Sequence, residues 1–344
     1  MSSEPVVLGI DLGKNWFHVI GIDAVGRPIL RKKLNRSQLQ QLAGTATRCV
    51  VAMESCPGSQ FWGRRFADHG HTVRVIPAQF VKPYVKSNKN DFNDALAIAE
   101  AASRATVPSV PLKNAEQLEL QATHRVRQRL VADRTATINQ MRALLLEQGI
   151  VVGVGRKRFS GQFLDVLRDA SDTLSPRMQR LLTGLRTRWL ALDEDIRELT
   201  DLLTRHASQS ELCKNLVTVP GVGPMIATAA VAAVGNGRMF KRGRDMAAWL
   251  GLVPRQFSTG GKSSLGSISK RGNVHLRQLF IQGSQVLYTY LSRDRSSLGL
   301  WLRTVAARTH RNVAVVALAN KLVRICWKVL SSGQQYQPYP ARAS

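Results

Sequence analysis

Short apolar runs separated by polar breaks fill the first hundred residues, and stretches at helical spacing take over afterwards. Val6 to Ile10 is an apolar run closed by an acid, Asp11, and reads as a buried strand with a carboxylate at its end. Trp16 to Ile22 and Pro28 to Leu34 read as two more strands, with Asp23, Gly26 and Arg27 in the turn between them. A short helix over Ser37–Ala43 precedes a buried strand, Cys49–Glu54, which again ends in an acid. A helix over Gly58–His69 and a strand over His71–Ile76 follow. Three strands in a meander and then alternating helix and strand predict a mixed α/β sheet. Asn90, Asp91 and Asp94 open a further helix that runs through its alanines to Ala102.

Beyond residue 110 the period changes. Ala115–Gln148 is a long helical pattern without Gly or Pro, with His124, Arg125, Arg127, Arg129, Arg134 and Arg142 along it. Gly149–Gly155 breaks it, Arg156 to Arg158 is a basic run, and Pro176 precedes a second long helix. Leu182, Leu185, Trp189, Leu192, Ile196, Leu199 and Leu203 are spaced 3, 4, 3, 4, 3, 4, a coiled-coil seam over about three heptads. The partner helix is either the preceding one of the same chain or that of another copy. Leu216–Gly235 reads as helix, Pro-Gly-Val-Gly turn and Ala-rich helix, similar to the helix-hairpin-helix that binds nucleic-acid backbones. Its glycines, Gly221 and Gly223, either let a phosphate approach free helix N–H groups or simply let two helices pack at a corner. Asn273–Leu291 and Leu298–Leu330 read as helices, and Gln334–Ser344 as a disordered tail. The expected divisions are therefore 1–110, 111–208, 209–333 and the tail 334–344, with an α/β first domain followed by mainly helical ones.

Charge sharpens this picture. The 344 residues carry 49 Lys and Arg against 23 Asp and Glu, a net charge of +26, which predicts a polyanionic partner, nucleic acid first and an anionic membrane second. Residues 209–344 hold 19 basic and 3 acidic residues, so most of the excess lies there. The basic residues are spread over long helices and loops, not gathered on one amphipathic anchor, and no stretch of about 18 uninterrupted apolar residues predicts a membrane span. Cys49, Cys56, Cys213 and Cys326 form no zinc-ligand spacing and read as reduced thiols of a cytoplasmic protein, with no signal peptide ahead of them.

Two sets of residues suit phosphodiester chemistry. Asp11, Glu54, Asp91 and Asp94 stand at strand ends and a helix start, where converging carboxylates can hold one or two Mg²⁺ ions. Acids at a helix start also serve as caps, which is the competing reading for Asp91 and Asp94. Asp23 and Glu100 are spare acids. The second set is the loop around Ser258, Thr259, Gly260, Gly261 and Lys262, with Arg255, Lys270, Arg271 and Arg277 near it. A hydroxyl ringed by cations can attack a phosphodiester; it can also be a turn that touches phosphate and does no chemistry. Arg125 and Arg129 on the first long helix are further candidate phosphate contacts.

The ordered set of motifs resembles the DEDD transposases of the insertion-sequence "one-ten" and "eleven-eleven" groups. The residues concerned are Gly9 to Asp11, Met53-Glu54, Asn90 to Ala95, Val219 to Pro224, Trp249 to Arg255, Ser258 to Lys262 and Ile268 to Asn273 with Leu276-Arg277. Together they cover nearly the whole chain. The resemblance implies a RuvC-like, RNase H-type first domain, a coiled coil and a C-terminal transposase domain. It implies that Asp11, Glu54, Asp91 and Asp94 bind Mg²⁺ and that a loop serine forms a covalent phosphoserine with DNA. It further implies an oligomer acting on donor and target DNA with an element-encoded bridge RNA. The family serine directly precedes a glycine, a place held here by Thr259; Ser258 is the expected nucleophile and Thr259 the alternative. A RuvC-like Holliday-junction resolvase and a non-catalytic nucleic-acid-binding protein are the competing functions.

Overall fold

The computed structural model describes residues 4–86, 90–170, 173–291 and 296–338. The chain divides into two units, Met1–Asn114 and Ala115–Ser344.

The first unit runs β1 (Val7–Leu12), β2 (Phe17–Ile22), β3 (Pro28–Leu34), α1 (Arg36–Thr45), β4 (Val50–Glu54), α2 (Ser59–Asp68) and β5 (Thr72–Ile76). A short α3 (Ala78–Val81), one 3₁₀ turn and α4 (Asp91–Ala102) complete it. The five strands form one mixed sheet in the order β3-β2-β1-β4-β5. The first three are an antiparallel meander, and β4 and β5 run parallel to β1. This mixed α/β architecture agrees with the expectation, and its order is consistent with an RNase H-like domain.

Side-chain alternation assigns each strand residue to a face. Leu8, Ile10, Phe17, Val19, Val51 and Met53 pack on one side with Leu39 of α1 and Trp62 and Phe66 of α2. Val7, Ile20, Ile22 and Ala52 pack on the other side with Ala95, Ile98, Ala99 and Ala102 of α4. The contact between α4 and β1 is at backbone distance. A Cβ built on Gly9 would stand 2.2 Å from the Ala95 carbonyl oxygen and 2.6 Å from the Ala99 nitrogen. Arg74 of β5 pins the far end of α4 by donating to the Ala102 and Val107 carbonyls. The spare acids have structural partners: Asp23 accepts from the Val25 and Arg27 backbone N–H groups in its turn, and Glu100 pairs with Lys86 at 2.7 Å.

The second unit opens with α5 (Ala115–Leu146), α6 (Arg156–Asp169) and α7 (Pro176–Gln209). The seam residues of α7 are all buried or half-buried. Cross-links pair Arg134 with Asp193, Arg127 with Thr200 and Glu116 with His206. Residue numbers fall on one helix as they rise on the other, so α5 and α7 are antiparallel and the seam's partner lies in the same chain. Arg127 and Arg134 are thereby tied into the packing rather than aligned as a surface track. The helix α6, not foreseen from its basic start, closes the open end. Its Phe159 stacks on Trp189 at 5.7 Å between ring centroids, and Phe163 meets Phe159 edge-on.

Next come α8 (Glu211–Val217), α9 (Pro224–Val234), α10 (Gly243–Trp249), β6 (Pro254–Thr259), β7 (Lys262–Ile268), α11 (Val274–Leu291), α12 (Ser297–Ala306) and α13 (Arg311–Ser332). Residues 226–234 of α9 are buried without a break, so α9 is the central helix of this core. Three expectations change here. The Ser/Gly loop is an antiparallel hairpin, β6–β7, because Gly260 (φ +56°) and Gly261 (φ +77°) form a two-residue turn of the kind that joins strands directly. The helix expected over Leu298–Leu330 is two helices, since the His310 side chain accepts from the Asn312 N–H and starts α13 afresh. The first part of the expected disordered tail is held: the Tyr336 N–H donates to Thr218 Oγ1 at 2.9 Å. Residues 339–344 of that tail lie outside the described residues.

Two packing predictions follow from these contacts. Gly9→Ala forces α4 off β1 and lowers stability by about 1–3 kcal/mol, read as a lower melting temperature. Trp189→Ala leaves a cavity between α6 and α7 and costs about 3–5 kcal/mol by denaturant unfolding.

Candidate active site

Strand parity brings three side chains of the candidate acid site to one sheet face. Asp11 follows Val7 and Gly9 at period two, so it points toward α4; Glu54 follows Val50 and Ala52 in the same way. The parallel register sets Ile10 beside Met53, which makes Asp11 and Glu54 neighbours at the strand ends. On the other side of β1, Asp11 lies directly opposite His18 of β2. From above, α4 adds Asp91 and Asp94 in its first turn, with the Asn90 side chain capping it by accepting from the Phe92 N–H at 2.9 Å. Capping is therefore done by Asn90, which leaves the two aspartates to face the strand ends.

Ligand-capable atoms of Asp11, His18 and Asp91 lie within 4.8 Å of one another. His18 Nδ1 is 3.4 Å from Asp91 Oδ2, and its ring meets Phe92 edge-on at 4.7 Å. Glu54 and Asp94 lie outside that tight group but act on it electrostatically. Burial, then Asp91 and Asp94, push the Asp11 carboxyl above its ordinary range. Burial and then Asp94 do the same to Glu54. Among the described residues no Lys or Arg forms an ion pair with any of the four acids. Carboxylate oxygens with no Lys or Arg against them, offset only by His18, suit a hard divalent cation such as Mg²⁺.

The candidate nucleophile stands on β6, at the outer end of the hairpin. Ser258 is opposite Ser263, and Thr259 is opposite Lys262, the pair that closes the turn. Gln256 Nε2 donates to Ser258 Oγ at 3.0 Å, which puts those two side chains on one face. By alternation Thr259 projects from the other face. Every residue of β6 is exposed, and so are Arg255, Lys262, Lys270 and Arg271. Lys270 and Arg271 are presented by a turn clasped to the end of α10: a Cβ on Gly272 would stand 1.8 Å from the Trp249 carbonyl oxygen.

Not all expected phosphate contacts are free to make one. Arg277 is buried, and its guanidinium donates to the Leu250 and Arg271 carbonyls at 3.0 and 2.6 Å. It fastens that same turn from inside, which corrects its expected place on the nucleic-acid surface. Gly221 (φ +80°) and Gly223 are half-buried at the start of α9, and a Cβ on Gly221 would strike Leu287 at 2.8 Å, so helix packing alone accounts for that glycine. Arg125 and Arg129 are exposed on α5, with Arg129 paired to Asp133 at 3.1 Å.

Comparison with known proteins assigns the chain. A model of DEDD-type IS110 transposases matches residues 8–149, and a second, described as "Transposase IS116/IS110/IS902 family", matches residues 213–297. The chain is 41% identical to a probable family 20 transposase of Pseudomonas aeruginosa over 332 residues, covering 96% of this chain and 98% of that one. It is 42% identical to the transposase for insertion sequence element IS1328 of Yersinia enterocolitica, covering 95% of this chain and 97% of the relative. Identity to the transposase for element IS1111A of Coxiella burnetii is also 42%, over 96% of this chain and 91% of that protein. The chain belongs to the IS110-type transposase family. This is a family of enzymes that cut and join DNA, so the expected enzyme class stands. The first matched stretch of this transposase contains all four acids, and the second contains the whole hairpin. No helix among the described residues is long and apolar enough to cross a membrane.

The residue that sequence reading missed in this transposase is His18. Strand register was the signal: counting back from the turn between β1 and β2 pairs it with Asp11. The acid site also sets a pH-dependence. A carboxyl whose pKa is raised by folding destabilises the fold at neutral pH, and that penalty is relieved as pH falls through the raised value. Without metal, Asp11→Asn should therefore raise the melting temperature at neutral pH, with the advantage shrinking as the solution is acidified.

Proposed function

We propose that this transposase cuts and rejoins the DNA of an insertion sequence with a Mg²⁺ site at Asp11, Glu54, Asp91 and Asp94 and a nucleophile at Ser258. The observation that carries the reading is the Asp11–His18–Asp91 group, with Glu54 and Asp94 near enough to act on it and with the Asp11 and Glu54 carboxyl pKa values raised. Holding like charges together in a half-buried group is unfavourable, and a cation offsets the repulsion. Bound Mg²⁺ supplies charge stabilisation to phosphoryl oxygens and to a leaving oxygen. His18, packed on Phe92 and close to Asp91, holds that carboxylate in place.

Ser258 Oγ forms an ester with the phosphorus while the bond from phosphorus to the departing deoxyribose oxygen breaks. The serine proton leaves to a base or to water, and the departing oxygen gains one. The phosphoserine keeps the phosphate activated for rejoining, a purpose a hydrolytic nuclease lacks. Support comes from the exposed hydroxyl with Lys262, Arg255 and Arg271 on or beside its hairpin. Thr259 is the alternative nucleophile. Guidance by an element-encoded bridge RNA, action as an oligomer on donor and target DNA, and a cytoplasmic location rest on the resemblance to the family. So do the assignments of 111–208 as a coiled-coil linker domain and 209–333 as the transposase domain.

In strand-exchange assays with DNA bearing the element ends, Ser258→Ala should abolish the covalent protein–DNA species on denaturing gels while DNA binding persists. Thr259→Ala should retain the species. The reverse result moves the nucleophile to Thr259, and cleavage unaffected by either change favours the resolvase reading. Asp11→Asn should lower activity by more than about 100-fold, since even outer-shell partners of a metal are worth roughly 10- to 100-fold. Mg²⁺ should raise the melting temperature of the wild type and not of Asp11→Asn.

A further inference from the structure

The second unit contains a basic cleft that none of the preceding chemistry uses. It has a volume of about 660 Å³ and lies between the start of α10, one face of α13 and the segment 334–338. Arg242, Arg244, Lys321, Arg324 and Lys328 line it. The cluster is built by close packing. A Cβ on Gly243 would stand 3.1 Å from the Arg324 Cα and carbonyl oxygen and 3.2 Å from the Trp327 ring. That glycine lets the start of α10 rest on α13, so the arginines on either side of it fall beside Arg324.

On α13, Lys321, Arg324 and Lys328 are spaced i, i+3, i+7, which places them on one helix face. The local balance is one-sided. Arg242 pairs with Asp245, and among the described residues Arg244, Lys321, Arg324 and Lys328 have no ion pair. Lys321 leans on the Trp301 ring at 4.3 Å, and burial followed by the charge of Arg324 lowers its pKa. Like charges held side by side, with only Asp245 to offset them, are unfavourable in isolation, and a polyanion relieves the penalty.

We propose that this cleft binds the sugar–phosphate backbone of duplex DNA. The fit is one of sign and extent: Lys321, Arg324 and Lys328 lie along about 10 Å of α13, and a phosphate backbone presents charge of the opposite sign along its whole length. The contact argued here is that of cations with phosphates, which carries no sequence information of its own; Gln334, Gln335 and Gln337 also line the cleft. The inference rests on DNA being the substrate and on neither the metal nor the serine. It is therefore tested by binding, in EDTA, with the full chain.

Fluorescence anisotropy with a labelled random-sequence duplex of about 30 bp, across about 50 to 200 mM salt, gives the slope of log K against log salt. Arg324→Gln with Lys328→Gln should make that slope shallower by about 1.8, or about 0.9 per phosphate contact removed. Arg177→Gln with Arg180→Gln, which removes two exposed charges from the start of α7, should leave the slope unchanged. Both residues of the cleft pair are exposed, and the charge-preserving exchange Arg324→Lys with Lys328→Arg should keep the wild-type slope. Equal losses in the two glutamine pairs would reduce the cleft to general charge attraction and overturn the proposal. A slope that changes for a single-stranded RNA of equal length and not for the duplex overturns it too. Strand exchange that survives Ser258→Ala would overturn the serine mechanism and leave the cleft standing.

Discussion

The contact of α4 with β1 at Gly9 governs the first unit. It seats a helix on a strand at a distance that admits no side chain, and it fixes where the first turn of α4 ends up. That turn bears Asp91 and Asp94, and the strand below it carries Asp11 next to its end. A bulkier residue at position 9 would separate the acids even if each kept its own secondary structure. The site is thus a consequence of backbone packing more than of side-chain contacts, and His18 joins it through register with Asp11.

The second unit uses close approach for a different end. Gly243 brings α10 against α13, Gly272 brings the turn after the hairpin against Trp249, and the buried alanines of α9 let its neighbours crowd around it. The outcome is an apolar centre with cations forced outward into groups. Arg277 is the exception, and its burial is tolerated because two carbonyls accept from it. The hairpin β6–β7 is anchored to that centre only at its base, by half-buried Ile268, and is otherwise exposed, with Phe257 and Leu265 showing 63% and 67% of their surfaces. An isolated two-stranded hairpin is marginal in water, so this one is suited to being ordered further by what it touches.

The two units divide the electrostatic labour. One holds carboxylates that repel one another, a repulsion the proposed divalent cation offsets; the other holds a cluster of cations, a repulsion the proposed phosphate-backbone contact offsets. Each feature is mildly unfavourable in the free protein and becomes favourable in a complex. Such sites need a fold whose stability comes from elsewhere, here the two-sided sheet core and the α5–α7 pair with its aromatic plug.

The sequence by itself determined the elements whose signal is local. Alternation and apolar runs marked all five strands, the 3-4 spacing marked the α7 seam, and acids closing apolar runs marked Asp11 and Glu54. The paired glycines mark a turn in the sequence but not the hairpin, because a hairpin depends on which strands pair and not on the turn alone. The tertiary structure decided what depends on residues far apart in the chain. It made α5 the partner of the seam, took Arg277 inside, paired His18 with Asp11 and gathered the cations of α10 and α13 into one cleft. Periodicity records which way a side chain faces on its own element; only packing decides what it faces.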